Sequence, residues 1–293
     1  MFEATIKAAI KGTPLYPFAR AVAWRLHVFQ DWFGTKVWTR TRETTTPLGF
    51  RLTSGFHPAY AQMRAGKFEP NETAVLSGLL DETDVFIDVG ANLGYYSLLS
   101  LQRGRRVVAF EPQPQNLRAL YRNLESNGWQ DRAEVFPIAL SDKPGLLTLY
   151  GASGPSASLV KGWAEYSARY QRIVPVSTLD NILGGRFGGE KLLVKIDVEG
   201  AEFDVLQGAL GTMMRDPKPD WLIEICLDEF HANGANPHFS KIFDLFFDSG
   251  YHVYAIGDQC QRVTQDDISI CVRDGKTPWE TFNYLFTTNT LTA

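Results

Sequence analysis

The chain has 293 residues, is 44% hydrophobic and 21% charged, and carries a formal net charge of −4, the profile of a soluble globular protein with room for one large core. That balance excludes the basic footprint of a general nucleic-acid binder. Cys226, Cys260 and Cys271 are too widely spaced for a disulfide framework or a C-x-x-C zinc site, so a reducing, cytoplasmic setting is the default; the alternative of a divalent ion on acidic residues lacks His-rich ligand spacing, and no metal is assigned.

Residues 1–42 depart from the overall balance, with Lys7, Lys11, Arg20, Arg25, Lys36, Arg40 and Arg42 against Glu3 and Asp31. Arg20, Arg25 and Asp31 interrupt the apolar run LYPFARAVAWRLHVFQDWF, which is therefore neither a membrane span nor a signal-peptide core. An amphipathic helix packed on the domain is expected. The alternatives are peripheral contact with anionic lipid or a homo-oligomer contact. Turn signals follow between residues 43 and 58, and a helix is predicted from Asn71 to Leu80. Glu69, just before it, is placed to present an acid over a ligand, although the helix dipole explains an acid there as simply.

VFIDVGANLG, residues 85–94, is the stretch around which the chain is organised. Val85, Phe86 and Ile87 read as a strand buried on both faces, Asp88 falls at its carboxyl end, and Gly90 and Gly94 suit a sharp turn that admits a ligand. From Tyr95 the pattern becomes a crossover helix. The next strand, Arg106 to Pro112, ends in Glu111, 21 residues beyond Gly90, where an acid commonly accepts hydrogen bonds from ribose hydroxyls. No packing reason for an acid is visible at that position. The three glycines of a dinucleotide fingerprint are missing, so NAD is disfavoured. An adenosyl cofactor with an amino-acid tail fits better, Asp88 holding the ammonium through water or a neighbour and Glu111 the ribose. S-adenosylmethionine is that molecule.

A helix from Gln115 to Asn127, a strand over Ala133–Leu140 and a strand over Leu146–Tyr150 continue the βα rhythm. Trp163, Tyr166 and Tyr170 then fall at helical spacing, which reads as core packing or as an aromatic lid over a sugar. GGRFGGEK, residues 184–191, precedes a strand and lacks the phosphate-loop spacing, so it is a connection.

The strand LLVKIDVE, Leu192 to Glu199, alternates apolar residues with Lys195, Asp197 and Glu199, predicted to share one face at period two. Unpaired buried charges cost several kcal/mol each, so these three must be compensated or open into a cleft. The competing reading is a Lys195–Asp197 ion pair that only holds strand to helix. A helix over residues 201–210, a strand ending near Glu224, His231 in a following loop, a helix from Phe239 to Ser249 and two last strands complete a sheet of seven.

DVGANLG with YYSLL, VVAFEPQPQNL, IALSD, VSTLD and, most specifically, VKIDVEGAEFDVLQGA followed by LIEI resemble the FkbM-type S-adenosylmethionine-dependent methyltransferases over about residues 68–230. That resemblance implies a Rossmann-like class I α/β fold with a mostly parallel seven-stranded sheet in the order 3-2-1-4-5-7-6, and methylation of a hydroxyl on a sugar, glycan or secondary metabolite. Residues 1–67 are then a basic extension packed on the core, and residues 68–293 the methyltransferase domain. The cofactor side is expected at Glu69, Asp88, Gly90, Ala91, Asn92, Gly94, Glu111, Pro112, Ala139 and Asp197. Catalytic candidates are Asp197, Glu199, Lys195, Glu224 and His231, because an alcohol needs a base within reach as its proton leaves. A base-methylating N/D-P-P-aromatic motif is replaced by Asp197-Val198-Glu199-Gly200, which disfavours nucleic acid. A non-catalytic binding or scaffold protein that kept the fold is the alternative.

Overall fold

The computed structural model describes residues 41–55, 57–151, 157–165, 170–231 and 234–291; the expected N-terminal amphipathic helix lies outside them. Strands are numbered β1 Arg42–Thr45, β2 Arg51–Ser54, β3 Val85–Val89, β4 Arg106–Phe110, β5 Ala133–Phe136, β6 Ala139–Leu140, β7 Gly145–Tyr150, β8 Gln171–Ser177, β9 Leu192–Ile196, β10 Asp220–Glu224, β11 His252–Ala255, β12 Gln261–Val263 and β13 Asn283–Thr287.

Alternation along β3 sets the layers. Val85, Ile87 and Val89 point into one core with Trp221, Phe243, Phe246 and Phe286, whereas Phe86 points into the other with Tyr60, Leu76, Leu98 and Leu120. Both faces of the sheet are thus covered, as parallel strands require. Phe50, Leu52 and Met63 join the second core, so residues 50–63 share it with the sheet. β5, β4, β3, β9 and β10 run parallel, and β13, β11 and β12 complete the sheet through antiparallel pairs.

Counted along the chain, the eight strands lie in the order 3-2-1-4-5-8-6-7, where seven were expected. The addition is β12, a three-residue edge strand that folds back on β11 through the turn after Ile256. The predicted strand Ala133–Leu140 also divides. Pro137 has no amide to donate to a ladder, and the chain leaves the main sheet there; β6 instead joins β8 and β7 in a separate three-stranded sheet. The helix predicted over 201–210 breaks into Glu202–Gln207 and Leu210–Met213 at Gly208, where an added Cβ would lie 2.2 Å from the Ser141 carbonyl oxygen.

Of the expected Trp163–Tyr170 helix, Trp163–Glu165 form a short turn with Ala164 at φ 47, Tyr170 is exposed ahead of β8, and residues 166–169, Tyr166 included, lie outside the described residues. Other helices follow the expected pattern, including Pro70–Leu79, Tyr95–Gln102, Pro114–Asn127 and Phe239–Asp248. Among the described residues no helix is long and apolar enough to cross a membrane.

Phe243 packs its ring 4.9 Å from Tyr284, 5.0 Å from Phe239 and 5.7 Å from Phe286, tying the helix Phe239–Asp248 to β13. Phe243→Ala is expected to cost ~3–5 kcal/mol of unfolding free energy in a urea titration. A loss below ~0.5 kcal/mol, as for a surface substitution, would contradict this packing role.

Candidate active site

Register brings the charges together. Asp88 in β3 lies opposite Lys195 in β9, and Lys195 opposite Leu222 in β10, two residues before Glu224. Side chains two apart on a strand share a face, so Asp88, Lys195 and Glu224 rise on the side of the sheet that carries Phe86, Leu193 and Leu222. They stand at the carboxyl ends of the strands, where ligands of open α/β sheets bind. A cleft of about 280 Å³ opens there, lined by these three and by Glu69, Gly90, Ala91, Asn92, Glu111, Pro112, Ala139, Asp197 and Glu199, among others.

Lys195 is only 3% exposed. Its Nζ donates to Asp197 Oδ2 at 2.9 Å and sits 4.9 Å from the centroid of the Tyr96 ring. Burial would lower the lysine's pKa, but the carboxylates of Asp197, Glu69 and Asp88 together outweigh it and hold the ammonium charged well above its ordinary range. Tyr96 Oη donates to Glu69 Oε2 at 2.6 Å, and Glu69 occupies the left-handed region at φ 41 immediately before the helix Pro70–Leu79. A non-glycine residue held there beside a cleft is a strained position supported by its surroundings.

Two expectations about β9 change. The strand ends at Ile196, so period two covers Lys195 but not its two acidic partners. Asp197 extends the ladder by one bond, its amide donating to the Val89 carbonyl at 3.0 Å, and its side chain is 29% exposed toward the cleft. Glu199 lies in the following turn at φ 58. Its Oε2 accepts from Trp163 Nε1 at 2.7 Å, and burial first, then the Asp197 charge, pushes its carboxyl up to about 8. Burial pushes Glu224 well above the carboxylate range too, helped by Asp197 and Glu199.

Glu111 does have a structural role. Its Oε2 accepts from the Asn92 amide at 2.8 Å and its Oε1 from the Gln113 amide at 2.7 Å, so this 4% exposed carboxylate splices the loop after β3 to the loop after β4. Asp88 is 2% exposed and takes a 2.5 Å bond from Ser97 Oγ. Gly90 is required by packing: at φ 87, a Cβ would stand 1.9 Å from the Asp197 carbonyl oxygen. Gly94 is absent from the cleft wall; at φ 91 it starts the helix Tyr95–Gln102, and a Cβ there would stand 2.4 Å from Leu120 Cδ1.

His231 is likewise not part of the wall. It stands edge-on behind Trp163, ring centroids 4.7 Å apart, with Nε2 buried and lacking a hydrogen-bond partner among the described residues; burial lowers its pKa. Sequence reasoning missed Tyr96, Ser97 and Asn116, and it read Trp163 as core or lid without its bond to Glu199. Asn116 follows Glu111 by five residues within VVAFEPQPQNL, lines the cleft, and has its Oδ1 buried without a partner among the described residues. Among those residues no three His, Cys, Asp or Glu side chains form a metal cage.

Burial also pushes Asp88 up to about 6 and Glu111 and Glu202 up to about 7. Each binds its proton more tightly folded than unfolded, so its stabilising contribution is complete below roughly pH 4 and is lost as the pH rises through the raised values. Glu202 Oε1 accepts the Gly200 amide at 2.8 Å, an acceptor that glutamine retains. In urea titrations, Glu202→Gln is therefore expected to gain on the parent chain as the pH goes from about 5 to about 8. A pH-independent difference would contradict the shift.

Residues 88–253 match the methyltransferase FkbM domain. The 2-O-methyltransferase NoeI of Sinorhizobium fredii is 31% identical over 157 residues, covering 47% of this chain and 62% of that protein. The hexuronic acid methyltransferase AglP of Haloferax volcanii is 27% identical over 161 residues, covering 54% and 59%. The chain thus spans about three fifths of each of these two curated relatives. The crystal structure of methyltransferase FkbM from Methylobacillus flagellatus KT overlaps 70% of this chain and 43% of its own at 18% identity, with a TM-score of 0.43, a loose correspondence from which nothing about the site follows. With more than half its length matched to that domain, the chain belongs to the FkbM family of methyltransferases.

Proposed function

We propose that the cleft is the site of an S-adenosylmethionine-dependent O-methyltransferase acting on a hydroxyl of a sugar, a glycan or a secondary metabolite. The observation that carries this reading is the meeting, in one cleft, of the glycine turn and Glu111 with a carboxylate set gathered around one buried lysine. The names of NoeI and AglP, one a 2-O-methyltransferase and the other a hexuronic acid methyltransferase, support a hydroxyl acceptor on a sugar.

The residues present fit the cofactor. Glu111 is fixed by two backbone amides, and a carboxylate so held keeps lone pairs for ribose hydroxyls. The unpartnered Asn116 Oδ1 lacks a donor in the same cleft, which an adenosyl group can supply. Ala91, Asn92, Pro112 and Ala139 would wall the adenosyl portion, and Glu69, Asp88 and Asp197 would face its charged methionyl end, Asp88 through Ser97 or water. S-adenosylmethionine, when bound, supplies an electrophilic methyl group on a sulfonium.

The chain's own task is to hold the acceptor oxygen in line and take its proton. Asp197 is committed to Lys195 and serves orientation and charge balance. Glu199 gives one oxygen to Trp163 and has a second for a proton, and a carboxyl near the working pH is suited to that exchange. Glu224, on the same wall, is the second candidate base. His231, shielded by Trp163, is not assigned a proton-transfer role.

Calorimetry is expected to show S-adenosylmethionine and its demethylated product binding while NADH gives no heat. Glu111→Ala is expected to weaken that binding by about 1.5–3 kcal/mol, the range for hydrogen bonds to a charged group. Mass spectrometry of sugar acceptors incubated with methyl-labelled cofactor then reads transfer to oxygen. NADH binding in place of the adenosyl compounds, or unchanged affinity in Glu111→Ala, would contradict the reading.

A further inference from the structure

Residues 157–163, between β7 and β8, lie against the turn that follows β9. Ser158 forms a bridge with Tyr150, its amide donating to the Tyr150 carbonyl at 3.0 Å and its carbonyl accepting the Tyr150 amide at 2.8 Å. Its Oγ donates to the Glu199 carbonyl at 2.5 Å while accepting the Val160 amide at 2.9 Å. Trp163, only 3% exposed, then places its indole over Gly200, so closely that a Cβ on that glycine would stand 2.4 Å from Cε3. The far side of the indole meets Phe230 and His231, with centroids 5.8 and 4.7 Å away, and the Ala164 amide donates to the Phe230 carbonyl at 2.8 Å. Ala157 and Leu159 of the same segment line the cleft.

Glu199 is therefore gripped at two points by one segment, at its carbonyl by Ser158 and at its carboxylate by Trp163 Nε1 at 2.7 Å. A left-handed glutamate is strained, and the two bonds supply what holds it there. A smaller side chain at position 163 would leave the space above Gly200 unfilled, and one without an N–H would leave the carboxylate without this donor. We propose that Trp163 is a positioning residue that fixes the Glu199 carboxyl at the acceptor wall, engaging one oxygen so that the other is presented for proton transfer. The catalytic meaning rests on the methyltransferase reading; the contact and its electrostatics do not.

Glu199 is faced by Asp197 and Lys195 from the preceding segment, by Glu202 from the following helix, by Glu224 and Cys226 from β10 and just beyond it, and by His231 behind the indole. Burial and the acidic neighbours raise its pKa, while the Trp163 bond and Lys195 lower it. A donor on the charged form always favours that form.

The indole N–H reports this directly. The sequence has seven tryptophans, few enough for their indole resonances to be followed in a proton–nitrogen correlation spectrum of the full chain. Trp163→Phe, which keeps a ring over Gly200, identifies the resonance by its loss. If that variant does not fold, the resonance is the one whose titration Glu199→Gln abolishes. It is expected to move downfield as the pH rises, with a midpoint near 8 rather than in the ordinary glutamate range, and to stay flat in Glu199→Gln. No indole resonance with such a titration, or one that persists in Glu199→Gln and so belongs to His231 or Glu224, would overturn the proposal. In the transfer assay, Trp163→Phe is expected to move the acid limb of kcat/KM to higher pH with cofactor affinity unchanged. An unmoved limb would make Trp163 merely structural. An indole that titrates as expected in a chain that transfers no methyl group would uphold the contact and sink the methyltransferase reading instead.

Discussion

A single buried ammonium governs the carboxyl edge of this sheet. Lys195 lies between Asp88 of β3 and Leu222 of β10, and its burial is sustained by Asp197, Glu69 and Asp88 around it. The dependence runs both ways. Without the lysine, several carboxyl groups would share one poorly solvated space with little opposing charge, and removing one partner of a buried pair is far costlier than never having built it. The left-handed Glu69, the Tyr96 hydroxyl aimed at it and the one-bond extension of β9 into Asp197 all converge on this charge.

Charge balance also separates two regions of the cleft. Toward β4, Glu111 is held by backbone amides and faces the apolar Pro112 and Ala139, with the unpartnered Asn116 oxygen alongside. Toward β10, burial and the Asp197 charge raise both Glu199, to about 8, and Glu224. Different surroundings thus give chemically similar side chains different partners, an arrangement met in sites that move protons. The chain belongs to the FkbM family of methyltransferases, and the split is the one the proposed cofactor and acceptor sides call for.

Much of the fold was legible because its signals are local. VFIDVGANLG announces a doubly buried strand and a glycine turn, and the coordinates give both glycines positive φ with no room for a Cβ. Alternation in LLVKI placed Lys195 on one face, which holds through Ile196 and no further. What followed was hidden because nothing in VEG marks Glu199, rather than a glycine, as left-handed. The splits at Pro137 and Gly208 have visible causes in sequence but consequences set by distant partners, the small sheet and the Ser141 carbonyl. Trp163 read as one member of a helical stripe because its partner, Glu199, is 36 residues away. β12 is too short to carry a period, and His231 gave no hint that an indole would stand in front of it.

Because the account hinges on Lys195, the most direct measurement is the unfolding free energy of Lys195→Met against the parent chain at two pH values. At about pH 8, where the surrounding acids are charged or forced to take up protons, the loss is expected to be about 3–5 kcal/mol, as for a broken buried pair. Near pH 5 it is expected to shrink, because Glu199 and most of Asp88 are then protonated in the folded chain and ask for little countercharge. A loss of equal size at both values would contradict the claim that this ammonium organises the carboxylates of the cleft.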